Sequence, residues 1–190
     1  ILSSPLSDYN KVHAINVFVH ACVEYFMWTE KMNMSDLREM DIIVRNLMTT
    51  YHAKYKLQIN SSLYLPRSMG GRGLKQFEMT YKITKIKSAV KVITDTEPKM
   101  KLVQKCDIAR KKKKRSSFIN DAIKFAKEDF DVTFEPLNGI FTFTYEKDGT
   151  METTSDIAVV GKVLKSQYRS KLLDNLCQSN WQGVIMKERM

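Results

Sequence analysis

The chain has 190 residues, 43% of them hydrophobic, and a formal net charge of +10. That length bounds the fold to one domain of ordinary size, or one and a half, with enough apolar residues for a core. No apolar run approaches the ~20 residues of a membrane span. The three cysteines (Cys22, Cys106, Cys177) are far apart and odd in number, which argues against a disulfide framework and for a reducing compartment. The first residues, Ile1-Leu2-Ser3-Ser4-Pro5, show neither an initiator Met nor a signal-peptide pattern, so the chain is expected to be a piece of a longer protein.

Ser4-Pro5 or Ser7 can open a first helix. Its apolar positions Val12, Ile15, Val19, Cys22 and Phe26 recur at helical spacing, and it should run to about Met27. Asn33 can cap a second helix, with Asp36 near its positive end and a stripe of Leu37, Met40, Val44, Leu47 and Tyr51. The stretch up to residue 62 reads as helical. Next comes Leu63-Tyr64-Leu65-Pro66-Arg67-Ser68-Met69-Gly70-Gly71-Arg72-Gly73-Leu74. Three glycines permit positive φ, and Pro66 holds Leu65 extended, so this run predicts a defined chain reversal. A third helix is expected over about Lys75 to Ile93, with a stripe of Met79, Ile83, Ile86, Val90 and Ile93. Lys75, Lys82, Lys85, Lys87 and Lys91 flank and oppose that stripe.

Thr96 can cap a fourth helix, with Pro98 in its first turn, that runs into Arg110-Lys111-Lys112-Lys113-Lys114-Arg115. Ser116 or Ser117 can restart a helix carrying Phe118, Ala122, Phe125 and Ala126. Residues 131–134, 140–145 and 150–153 then turn β-branched and aromatic, which predicts a meander of two or three strands. The intervening segments are Glu135-Pro136-Leu137-Asn138-Gly139 and Lys147-Asp148-Gly149, the latter containing the hairpin dipeptide Asp-Gly. Ser155 can cap a last long helix striped by Ile157, Val160, Leu164, Tyr168, Leu172 and Leu176. Trp181-Gln182-Gly183 ends it, and Trp181 reads as a core plug.

Charge is concentrated in one place. Residues 75–115 hold fourteen Lys or Arg against four Asp or Glu, and the rest of the chain is balanced. A focused positive stretch suits a polyanion, because releasing counterions from phosphates drives association. A solvated helix surface is the plainer reading. For Lys111 to Lys114, phosphate contact, a nuclear localisation signal and a solvated linker are mutually compatible. Arg67 and Arg72 also have two readings. They pin the turn to the helices by ion pairs while Tyr64 and Leu65 seal the core, or they face a phosphate backbone together with glycine-freed backbone N–H groups.

No catalytic constellation stands out. His13 and His20 fall on the polar side of the first helix. No nucleophile elbow or phosphate-binding GxxxxGK[ST] loop is present. No cysteine has a partner at zinc-ligand spacing, and Glu128-Asp129-Asp131 looks like a helix end, so neither a metal nor another cofactor is expected.

Leu63 to Leu74 resembles the LYxPRxxGGRGL signature of non-LTR retrotransposon reverse transcriptases, and especially of site-specific elements with a restriction-like endonuclease. Lys11-Val12-His13-Ala14-Ile15-Asn16 is similar to the family's K-x-x-A-I-N at the first thumb helix. Asp36, Leu37, Asp41 and Arg45 are similar to its D-L-x-x-x-D-x-x-x-R second helix. Lys171-Leu172-Leu173 through Trp181-Gln182-Gly183 resembles a linker segment beyond the thumb. The likeness is strong over 7–93 and faint over 94–190. Met32-Asn33 stands where the family has Trp-Thr, Tyr55-Lys56 replaces a His-Pro pair, and Gln182 replaces a His. The β-rich stretch at 131–154 has no counterpart.

The residue patterns and the resemblance together predict a mainly α chain, α+β overall: a helical thumb bundle, which the resemblance implies, followed by a helical region with a small antiparallel β insert, which rests on the residue patterns alone. The expected division is 5–93 thumb-like, 94–130 basic linker, and 131–190 β insert plus long helix. It implies a non-catalytic, nuclear, nucleic-acid-binding portion of an RNA-directed DNA polymerase, whose catalytic palm would lie upstream as a partner. Its ligand would be an RNA–DNA hybrid, element RNA or target DNA. No activity is expected of this portion alone, and no membrane partner. The expected contacts are Arg67, Arg72, Lys82, Lys85, Lys87, Lys91, Arg110, Lys111, Lys112, Lys113, Lys114 and Arg115. The alternative is a structural or protein-interaction module, including a host protein derived from a retroelement.

Overall fold

The computed structural model of the chain describes residues 1–137, 140–147 and 150–179. The chain is mainly helical with one small antiparallel sheet. The described residues divide into two compact units, one of residues 1–81 with 169–179 and one drawn from residues 82–168.

In the first unit, α1 (Asp8–Ala14) continues through a π-helical turn (Ile15–Val19) into α2 (His20–Thr29). Ser7 is the cap: its Oγ accepts the Asn10 N–H at 3.4 Å. The π turn closes with the His20 N–H on Ile15 O and inserts one residue into the helical phase. Val12 and Ile15 are buried as expected, but beyond the turn every expected position slips by one. His20, Val23 and Met27 face inward in place of Val19, Cys22 and Phe26, and those three are exposed. His20 is thus in the core, not on a polar face.

α3 (Met34–Thr50) starts at Asn33, whose Nδ2 donates to Asp36 Oδ2 at 3.2 Å. Its buried line is Leu37, Asp41 and Met48. The expected stripe members Leu47 and Tyr51 are exposed. The helix ends with the His52 N–H on Thr49 O and the Ala53 N–H on Met48 O, with His52 left-handed at φ 55°. Helix does not fill the stretch to the glycine run: α4 is only Asn60–Tyr64.

The glycine run reverses the chain as expected. A 3₁₀ turn (Arg67–Met69) ends at left-handed Gly70, and residues 72–74 return beside α4. There the Arg72, Gly73 and Leu74 N–H groups donate to Ser62, Leu65 and Leu63 O. Gly71 is required by contact, since a Cβ there would lie 2.0 Å from Leu65 O.

α5 (Phe77–Thr94) starts in the first unit and contributes residues 82–94 to the second. In the second unit it is followed by α6 (Pro98–Lys112) and α7 (Phe118–Phe130). The α6 cap position is Glu97, with Pro98 first in the helix. α7 is capped by Ser117, whose Oγ accepts the Asn120 N–H at 3.2 Å.

The sheet is a meander of β1 (Thr133–Leu137), β2 (Ile140–Lys147) and β3 (Thr150–Thr154) in the order β1-β2-β3. β1 extends through Pro136, which the sequence reading placed in a connection; an edge strand tolerates the missing N–H. Phe134 pairs with Phe143, and both rings are buried. Lys147 pairs with Thr150, as a two-residue connection requires. Asn138-Gly139 and Asp148-Gly149 lie outside the described residues, as do Trp181, Gln182 and Gly183.

α8 (Ile157–Cys177) opens at Asp156, not Ser155: Asp156 Oδ1 accepts the Ala158 N–H at 2.8 Å. Its expected stripe holds, with Val160, Leu164, Leu172 and Leu176 buried. Among the described residues no helix is long and apolar enough to cross a membrane.

Candidate nucleic-acid interface

Three short sequence patterns meet at the start of α5. Asn16, in the π turn, donates from Nδ2 to Gly73 O at 2.8 Å and accepts the Lys75 N–H on Oδ1 at 2.9 Å. Asp41 accepts the Phe77 and Glu78 N–H groups at 2.9 and 3.2 Å, satisfying two donors that a helix start leaves open. Burial pushes the Asp41 carboxyl above its ordinary pKa, while those two N–H groups pull it the other way. One turn along α3, Arg45 donates from Nη1 to Tyr64 Oη at 2.7 Å. Arg38 makes a two-pronged pair with Glu78 at 2.9 and 3.1 Å. The patterned side chains therefore set the entry of α5.

The two arginines of the glycine run separate. Arg72 donates to Ala53 O and pairs with Asp8 at 3.1 Å, so it ties the loop to two other segments. Arg67 is exposed, with its guanidinium 4.2 Å above the Tyr9 ring. The Gly70, Gly71 and Gly73 N–H groups are all spent on backbone carbonyls at 2.8–3.0 Å, so they form no open phosphate cradle.

The lysines of α5 do not oppose a single stripe. Lys82 is 5% and Lys85 8% exposed, Lys87 is half-buried, and Lys91 is exposed. Lys82 Nζ pairs with Asp129 of α7 at 2.7 Å and lies 5.7 Å from the Phe125 ring centre. The Lys87 stem runs along α8 at Gly161, where a Cβ would approach its Cδ to 3.6 Å.

α6 differs. Its only buried residue is Asp107, and Lys99, Lys101, Lys105, Arg110, Lys111 and Lys112 are all exposed on it. Lys113, Lys114 and Arg115 continue that exposed run beyond the helix end. The run is not slack. The Lys114 N–H bonds Lys111 O at 3.0 Å and the Arg115 N–H bonds Arg110 O at 3.0 Å, with Lys114 left-handed at φ 56°. This is the two-bond closure that glycine usually serves. Asp107 anchors the far side: its carboxylate accepts the Ser117 Oγ–H and, at 3.0 Å, the Phe118 N–H. The carboxylate thus sits at the positive end of α7, which offsets its charge. Arg110 to Arg115 thus form a continuous exposed cationic ridge along the chain at the end of α6, with a defined backbone conformation. Lys99, Lys101 and Lys105 extend it, and the only signal for them in the sequence is their place inside the basic stretch 75–115.

Between α6 and α7 lies a cleft of about 230 Å³, reached by Gln104, Ile108 and Lys111 from α6 and by Asn120 and Ile123 from α7. Among the described residues there is no cluster of His, Cys, Asp or Glu suited to a metal ion.

Comparison with family models, with curated proteins and with solved structures finds no match to the chain.

Proposed function

We propose that this chain is the thumb and following linker of a non-LTR retrotransposon reverse transcriptase, a portion that binds nucleic acid without catalysing. The observation that carries the binding part is the cationic ridge of Arg110 to Arg115, exposed and held in one backbone conformation by α6 and its closing turn. Pre-ordered cations contact phosphates without first losing backbone freedom. The family part is supported by the signature residues Asn16, Asp41, Arg45, Tyr64 and Gly73, which come from separate segments and meet at one helix start. Such a portion would hold an RNA–DNA hybrid or target DNA by its backbone, independently of sequence, beside a palm domain elsewhere in the polymerase.

The test is the salt dependence of binding to a hybrid duplex, a DNA duplex and single strands between 50 and 200 mM salt. Several phosphate contacts predict a loss of one to several orders of magnitude over about that range. Affinity that does not change with salt would overturn the reading.

A second reading is a protein-interaction module. It is favoured by exposed apolar residues of the first unit, among them Phe18, Tyr25, Phe26, Ile42, Ile43 and Leu57. Nucleic-acid binding that survives neutralisation of Lys111 to Lys114 would favour this second reading.

A further inference from the structure

The α6–α7 cleft gives the cationic ridge a chemistry that phosphate contact alone does not need. Its lining includes four aliphatic side chains, Ile93, Ile108, Ile119 and Ile123, of which Ile108 is exposed. The lining also holds two residues with carboxamides, Gln104 and Asn120, and one cation, Lys111. The Asn120 backbone N–H is the group that binds the Ser117 cap, so its carboxamide takes no part in closing α7. Asp107 also borders the cleft, but its two oxygens are engaged by Ser117 and Phe118. Lys111 is the cation among the lining residues, and the exposed basic residues next to it in the chain, Arg110 and Lys112 to Arg115, add positive charge to the same end of α6.

At about 230 Å³ the cleft is smaller than the ~300 Å³ at which sites for drug-sized molecules begin. It suits one flat heterocycle with an amide-like edge. Aliphatic side chains can bury the apolar face of a base, a carboxamide can both donate to and accept from a base edge, and the neighbouring cations take the adjoining phosphates. A base paired inside a duplex cannot present its face to such side chains, whereas a base in a single strand can.

We propose that the α6–α7 cleft takes one unpaired base of a single-stranded nucleic acid, with the flanking phosphates on Lys111 to Arg115. This rests on the nucleic-acid reading above and deepens it: the basic run holds phosphates of duplex and single strand alike, and an unpaired base at a single strand, junction or overhang adds a contact that uninterrupted duplex lacks.

The experiment compares the full chain with an Ile108→Glu variant, because Ile108 is already partly exposed and should tolerate the change. The probes are a 12-nucleotide single strand, the same strand paired, the same strand with a run of abasic sites, and an acidic 12-residue peptide. Circular dichroism confirms that the variant folds, and a Gln104→Ala, Asn120→Ala double variant is a second arm that leaves the isoleucines intact. The proposal expects the intact single strand to bind about tenfold tighter than both the duplex and the abasic strand, the gain that burying one base against aliphatic side chains supplies. It also expects Ile108→Glu to remove that difference, the added carboxylate beside Lys111 and Lys112 weakening single strand, abasic strand and duplex alike by its electrostatic share. Equal, salt-dependent affinity for all three nucleic acids, remaining equal in either variant, would overturn the cleft proposal and leave the nucleic-acid reading standing. Tighter binding of the acidic peptide, lost in Ile108→Glu, would overturn it in favour of a protein partner. Absence of salt-dependent binding to any nucleic acid would overturn both.

Discussion

Asp41 of α3 accepts the backbone N–H of Phe77 at 2.9 Å and so caps a helix to which it does not belong. A cap usually comes from the residue just before the helix; here it comes from 36 positions upstream and is buried. The start of α5 is therefore fixed by tertiary structure. Asp41→Ala would leave the Phe77 and Glu78 N–H groups without an acceptor, at a cost of about 1–3 kcal/mol. Urea unfolding should show that loss at pH 7. A midpoint unchanged from the parent chain would mean that the cap contributes nothing.

The glycine run offers a sharper contrast. Gly71 and Gly73 are two residues apart but are needed for different reasons. A Cβ at Gly71 meets Leu65 O at 2.0 Å, so either the loop or α4 must move. At Gly73 a Cβ meets nothing within 4 Å, and only the φ of +74° resists a side chain. Gly73→Ala should cost about 1 kcal/mol, the usual penalty of the left-handed region. Gly71→Ala should cost clearly more, about 3 kcal/mol or above, as overpacking against backbone does. Equal losses in thermal unfolding would contradict this geometry.

His20 supplies a pH dependence. It is fully buried and stacked on Phe77 with ring centres 3.8 Å apart. Burial first, and the Lys75 ammonium second, lower its pKa from 6.5 to about 4. The unfolded chain therefore takes up a proton on His20 before the folded chain does. Stability from this group is full above pH 6.5 and drains away as pH falls toward 4, by on the order of a few kcal/mol. Asp41, with its raised pKa, acts in the opposite direction: its contribution grows as pH falls. His20→Phe keeps the stack and removes the titration. The variant should lose less stability than the parent between pH 7 and 4. Parallel stability–pH curves for the two proteins would rule out a buried neutral imidazole.

Much of the fold is legible in the sequence, and the failures have a common cause. A helix start at Asn33, the glycine reversal, a small strand meander and the α8 stripe follow from local chemistry, and the structure has them; of the paired alternatives it takes Ser7 and Ser117, and of two or three strands it forms three. What the sequence hides is phase and surroundings. A single π turn at Ile15–Val19 moves every later inward position by one, which puts His20 inside and Phe26 outside. No residue pattern announces an inserted residue when the helix is apolar on more than one face. The α5 lysines fail similarly. Spacing shows where a side chain sits on its own helix, not which acid waits on another. Asp129 is 47 positions from Lys82. The basic run on α6 was legible because charge that dense stays exposed in any packing.

Lys82 and the ridge lysines therefore make a direct test of where phosphates could be held. Lys82→Met keeps the aliphatic stem but leaves the Asp129 carboxylate without its 2.7 Å partner. Asp129 retains some solvent contact, so the expected cost is about 1–3 kcal/mol, below that of breaking a fully buried pair. Its effect on the salt dependence of nucleic-acid binding should be nil. Converting Lys111, Lys112 and Lys113 together to Ala should do the reverse. Exposed positions near a helix end change stability by roughly half a kcal/mol or less each, whereas each lost phosphate contact lowers the slope of log affinity against log salt by about 0.7–0.9. Urea midpoints and binding slopes measured on both variants separate the two roles. A Lys82→Met protein of full stability with a reduced slope would show that this lysine faces the ligand and that the Asp129 pair is incidental.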